Sequence, residues 1–191
     1  MTAYPSQGTF ADGSCMCTTA ALYWAIACAA CLIQPDCGSA KMHILMQTAS
    51  DTQRAITASL SRPSNSMLQQ HEVLAGIRLP CSLGAVEMYG YCSQRKADMA
   101  AFIHVEEIYD MLQDGDAMVV TGGGHSTAVF RADARVYTYD SAPAAVSSVA
   151  SPATLAEALR SAHRAMPEFT ATLVRDRSKR HAQTRANLSD T

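Results

Sequence analysis

The stretch from Cys15 to Ile33, CMCTTAALYWAIACAACLI, is apolar almost all the way round. It is too long for a strand and rich in alanine and leucine, so it is expected to be a helix buried on every side and not an amphipathic one lying on a surface. The turn sequence Pro35-Asp36-Cys37-Gly38 stops it. A second helix is expected from Ser39 to about Leu60, with Met42, Leu45, Met46 and Ala49 on its apolar side and Asp51, Gln53 and Arg54 on its exposed one. Residues 61–66, SRPSNS, form a loop, and residues 67–100 mix a helical pattern with turn signals around a short apolar segment.

From His104 the pattern HVEEIYDMLQDG is that of an amphipathic helix, with Val105, Ile108 and Leu112 on one side and an end at Asp114-Gly115. Three strand-like runs follow, DAMVVT, STAVFR and RVYTYD, rich in Val, Thr, Tyr and Phe. A helix from about Pro152 to Ala165 is next, with proline in its first turn, and FTATLV is a further strand. Helices first and strands later make an α+β domain, assigned to residues 1–174. The polar, basic residues 175–191 are expected to be a disordered tail or the start of a linker.

The remaining numbers narrow the class. A chain of 191 residues with 48% apolar residues and a formal charge of −2 is an ordinary globular composition. Neither a charge bias toward nucleic acid nor an apolar run of the roughly 18–20 residues that a spanning helix needs is present. The N-terminus has no signal-peptide pattern. The seven cysteines, an odd count without a framework spacing, are therefore expected to be reduced thiols in the cytosol. Cys28-x-x-Cys31 with Cys37 lacks a following Cys/His pair at finger-like spacing, so no metal site is expected. Neither a cofactor nor an oligomer is indicated, and a monomer is expected.

The chemistry is carried by a constellation. In GGGHSTAVFRADARVYTYDS, a turn on Ala132-Asp133 sets His125 directly opposite Asp140, at the short cross-strand separation where an imidazole and a carboxylate share a hydrogen bond. A carboxylate there holds the tautomer and supports the imidazolium. Thr127, Val129, Val136 and Thr138 share that face, while Ala128, Phe130, Tyr137 and Tyr139 occupy the other, so both faces of the hairpin are expected to be buried. Cys15 stands where the polar loop SQGTFADGS meets the apolar helix. A helix N-terminus and an adjacent imidazolium both stabilise a thiolate. Gln7 is the candidate donor to an oxyanion, beside the Cys15 backbone N–H. Cys17, deeper in the helix, ranks below Cys15 as nucleophile. His43, His71, His104, His163 and His181 receive no role. Gln, Cys, His and Asp in that order make the papain-type chain order. Against this stand plainer possibilities: a packing cysteine, and an aspartate that only caps a turn.

SQGTFADGSCMCTTAALYW resembles the opening of the deubiquitinase domain of herpesvirus large tegument proteins, and DAMVVTGGGHSTAVFRADARVYTYDSAP resembles that family's paired strands. The likeness covers roughly residues 4–33 and 104–148. It implies a papain-like cysteine protease fold, with Cys15 as nucleophile, Gln7 as oxyanion donor and Asp140 as triad acid. It also implies ubiquitin or ubiquitin-like conjugates as substrates, cleaved through a thioester. The family's histidine, two residues after the aspartate, is replaced here by Ala142. Either His125 takes its role or the domain has lost activity and only binds ubiquitin. Gly122, Gly123 and Gly124 are the candidate wall of a narrow cleft for a Gly-Gly tail, or only a flexible connection. A papain-like effector protease or acyltransferase with an unrelated substrate is the other enzymatic reading.

Overall fold

In the computed structural model the described residues are 2–3, 16–59, 86–90, 108–110, 112–122, 124–143, 145–163 and 170–176. Helix α1 (Cys17–Ala29) has every one of its residues buried, as an all-round apolar sequence requires. It ends earlier than Ile33: Ala30 closes it and Cys31 turns the chain with φ +57°. Trp24, fully enclosed, stacks on Tyr139 at 5.4 Å and meets Phe130 edge-on at 6.4 Å. Helix α2 (Ser39–Ser59) lays Met42, Met46 and Ala49 against α1, and the Tyr139 hydroxyl donates to the Met46 sulfur at 3.0 Å. Gln53 is not on the exposed face: it is buried, and its Oε1 accepts from Thr19 Oγ1 at 3.3 Å.

A seven-stranded sheet lies beneath α1, all its neighbouring pairs antiparallel. Its strands are β1 (Thr2–Ala3), β2 (Val86–Gly90), β3 (Ala117–Gly122), β4 (His125–Ala132), β5 (Arg135–Asp140), β6 (Ala145–Val149) and β7 (Thr170–Asp176). Their order is β1-β6-β5-β4-β3-β7-β2, so the β4–β5 hairpin is interior. Helix α3 (Pro152–Ala162) covers the opposite face. Its start is a capping box, with the Ser151 hydroxyl accepting from the Thr154 N–H and the Thr154 hydroxyl accepting from the Ser151 N–H. Two apolar clusters result. Ala128, Phe130 and Tyr139 pack with α1, and Val129, Val136 and Val149 pack with Leu155 and Leu159 of α3.

The fold is thus α+β with an antiparallel sheet, as expected. Strand β6 was not expected, because AVSSV is short and carries two serines in its middle. It forms as the antiparallel partner of β5, with Val146 on the α1 face and Val149 on the α3 face. Strand β2, VEMYG, pairs with β7 and falls in the stretch read as turn signals around a short apolar segment. The helical turn at 108–110 buries Ile108, with Leu112 beside it, and Gly115 has φ +78° where the helix was expected to stop. Strand β7 runs to Asp176, two residues past the expected end of the domain; residues 177–191 lie outside the described residues. Among the described residues no helix is long and apolar enough to cross a membrane.

Candidate active site

The hairpin that carries the expected pair turns on Asp133 and Ala134, with φ +50° and +62°, as a two-residue type I′ turn requires at both central positions. The register therefore differs from that of a turn on Ala132-Asp133. Thr127, and not His125, lies opposite Asp140. The slip is by two residues, so the alternation of side chains is preserved and His125 and Asp140 stay on one face as diagonal neighbours. An aspartate and an imidazole are long enough to close the diagonal. His125 Nε2 is 2.8 Å from Asp140 Oδ1, with the two side chains 17% and 20% exposed. The same Oδ1 accepts the Ala142 N–H at 2.9 Å, which holds the carboxylate over the end of β5. With Nε2–H given to a carboxylate, the neutral ring presents Nδ1 as its basic nitrogen.

The connection ahead of His125 is a tight one. Gly122 pairs with His125 across the β3–β4 turn, and Gly124 has φ +78°. A Cβ at Gly124 would meet nothing within 4 Å, so the backbone conformation and not crowding accounts for glycine there. Gly123 is outside the described residues.

One histidine without an expected role belongs to this site. His163 caps the end of α3, is 3% exposed, and sets its ring 5.4 Å from that of His125. Its Nδ1 meets the Gly122 carbonyl at 3.1 Å and its Nε2 meets Thr127 Oγ1 at 2.8 Å. Burial holds its pKa below the ordinary imidazole value, against the pull of the Gly122 carbonyl. Sequence alone hid it: His163 follows a short amphipathic helix like any surface residue, and only the docking of α3 brings it to the sheet.

On the other face, Ser126 Oγ bonds to Thr18 Oγ1 at 2.9 Å and to Thr121 Oγ1 at 2.8 Å, all three buried. This chain of hydroxyls ties the first turn of α1 to the residue next to His125. The sheet end thus receives α1 on one face and the His125–Asp140 pair on the other. A cleft of about 490 Å³ opens beside that pair, between the sheet and α3, lined in part by Thr138, Ala142, Ser147, Ala158 and Ser161.

Cys15 and Gln7 lie outside the described residues. Cys17 lies inside them, 1% exposed and without a disulfide. Cys28 is sealed as well, its thiol pushed up by burial and further by the neighbouring Cys37 and Cys31 sulfurs, which opposes ionisation. Among the described residues no group of three or more His, Cys, Asp or Glu side chains is arranged to hold a metal ion.

The described residues define an α+β domain in which a buried helix and a histidine–carboxylate pair meet one end of an antiparallel sheet from its two faces. Among solved structures the chain is similar to the ubiquitin-specific protease encoded by the murine cytomegalovirus tegument protein M48, solved in complex with a ubiquitin-based suicide substrate. The TM-score is 0.55 and the identity 15%, over 90% of this chain and 83% of that one. At that identity the likeness is one of fold, consistent with a distant relationship. No family model and no curated protein matches the chain.

Proposed function

We propose that this domain is a thiol-dependent deubiquitinase of papain-like type, acting as a cytosolic monomer on ubiquitin or ubiquitin-like conjugates, with Cys15 as nucleophile, His125 as base and acid, Asp140 as orienting carboxylate and Gln7 as oxyanion donor. The observation that carries this reading is the His125–Asp140 hydrogen bond, which leaves Nδ1 as the proton acceptor at the sheet end where Thr18 and Ser126 anchor α1. Cys15 stands three positions ahead of Thr18 in the chain, a reach of at most about 11 Å. The thiolate attacks the carbonyl carbon of the modifier's last glycine, and the carbonyl oxygen takes up the negative charge. His125, protonated from the thiol, gives its proton to the departing lysine amine as the C–N bond breaks. Water then adds to the thioester, with His125 as base, and the thiol leaves.

In this reading Gly122, Gly123 and Gly124 border the path of the Gly-Gly tail, which suits the open space at Gly124. The cleft on the His125 side receives the leaving group, because the acid that protonates it stands at that cleft.

A second reading is favoured by one observation. The position that carries the histidine in the tegument family is Ala142, exposed and contributing only its N–H to Asp140. A ubiquitin-binding pseudoprotease would look the same. Incubation with ubiquitin bearing a C-terminal electrophile separates the two. An adduct that disappears in Cys15→Ala supports the enzyme; binding without an adduct supports the pseudoprotease; neither leaves a papain-like enzyme with another substrate or a structural domain.

A further inference from the structure

A run of three glycines immediately before His125 creates a mechanical problem. Glycine has the widest backbone freedom and no side chain with which to anchor a turn. At Gly124 even an added Cβ would touch nothing, so local packing does not hold the turn in place. The β3–β4 and β4–β5 pairings set the backbone register of His125, so what the turn still needs is a side-chain tie that keeps the ring against Asp140.

His163 meets that need. A carbonyl oxygen only accepts, so the 3.1 Å contact to Gly122 puts the ring proton on Nδ1. Nε2 of the neutral ring is then an acceptor and takes the Thr127 hydroxyl at 2.8 Å. These bonds land on the two strands of one hairpin, on either side of its glycine turn: Gly122 ends β3 and pairs with His125, and Thr127 lies two residues along β4. Thr127 is also the residue opposite Asp140 in β5. A single buried ring therefore ties β3 to β4 across the turn, at the strand position that faces the carboxylate. The side chain is not needed to cap α3, since the His163 backbone N–H already donates to the Leu159 carbonyl.

We propose that His163 is a positioning residue for His125: it clamps the glycine turn between Gly122 and Thr127 and so holds the His125 ring against Asp140. The clamp stands on geometry alone, whereas its catalytic consequence rests on the reading given under Proposed function. The test uses the full chain with His163→Leu, which removes both bonds, His163→Asn, whose amide N–H can still reach the Gly122 carbonyl, and Thr127→Val, which removes only the bond to β4. The primary readout is the downfield imidazole N–H resonance of His125, sheltered by Asp140. The secondary readouts are the rate of adduct formation with the ubiquitin electrophile and the affinity for unmodified ubiquitin.

His163→Leu is expected to lose the resonance and to slow adduct formation about 10- to 100-fold, as a displaced reactive group does, while ubiquitin affinity stays within about threefold. His163→Asn is expected to recover part of both losses. Retention of the resonance and of the wild-type rate in His163→Leu overturns the proposal. If His163→Leu fails to fold, Thr127→Val decides, and an unchanged resonance there overturns the proposal equally. If the wild-type chain forms no adduct, the proposed activity fails and the resonance alone still judges the clamp.

Discussion

Asp140 lies opposite Thr127 on the sheet and yet holds His125, its diagonal neighbour, at 2.8 Å. The pair depends on side-chain reach and on a face shared by alternation, and its chemistry is directly testable. His125→Ala is expected to reduce adduct formation with the ubiquitin electrophile by about 10²- to 10⁴-fold, the usual worth of a positioned acid–base group. Asp140→Asn is expected to fall in the same range, because an amide neither charges against an imidazolium nor fixes the tautomer. Placing the missing histidine in His125→Ala/Ala142→His is expected to restore part of the rate, since the Ala142 N–H already sits on Asp140 Oδ1. Rates measured over a pH series check all three, and full activity in His125→Ala removes His125 from the mechanism.

Burial depresses the pKa of His163 in the folded protein. A base with a lowered folded pKa contributes stability that is complete above its unfolded value, about 6.5, and is lost as the pH falls toward the folded value. Charging the ring turns Nε2 into a donor facing the Thr127 hydroxyl and sets a cation beside His125, opposed by the Gly122 carbonyl and the Asp140 carboxylate. Urea midpoints at pH 7.5 and 5 are expected to fall further in the wild type than in His163→Asn.

Ala134 has φ +62°, a left-handed conformation that costs an L-residue about 1–2 kcal/mol. Ala134→Gly gives the Asp-Gly pair that type I′ turns favour, and the relief exceeds the entropy that glycine adds to the unfolded chain. A net gain of about 0.5–1 kcal/mol is expected by chemical denaturation, with the resonances of β4 and β5 unmoved. A loss of stability would show that the turn is held otherwise.

Ser126 joins Thr18 of α1 to Thr121 of β3 through its one hydroxyl. Ser126→Ala removes both hydrogen bonds from a fully buried place, and a cost of about 1–3 kcal/mol is expected by urea denaturation. If α1 carries the nucleophile to the His125 end of the sheet, adduct formation slows as well, even under conditions where the variant remains folded.

The sequence by itself determined the elements whose reason is local. The all-round apolar run dictated a buried α1, alternating Val, Thr and aromatic residues dictated β3, β4 and β5 with both faces covered, and Pro152 behind Ser151 dictated the start of α3. It also carried the parity that puts His125 and Asp140 on one face, because alternation survives a slip of two residues. What only the tertiary structure decided are the features that arise from packing between distant segments. The turn residues were settled by positive φ at Asp133 and Ala134, which alanine at the second position does not announce. Strand β6 exists because β5 offered it an edge, and Gln53 is inside because Thr19 meets it there. His163 joins the site because α3 docks across the sheet and lays one ring over a glycine turn 41 residues earlier in the chain, a proximity that no local pattern encodes.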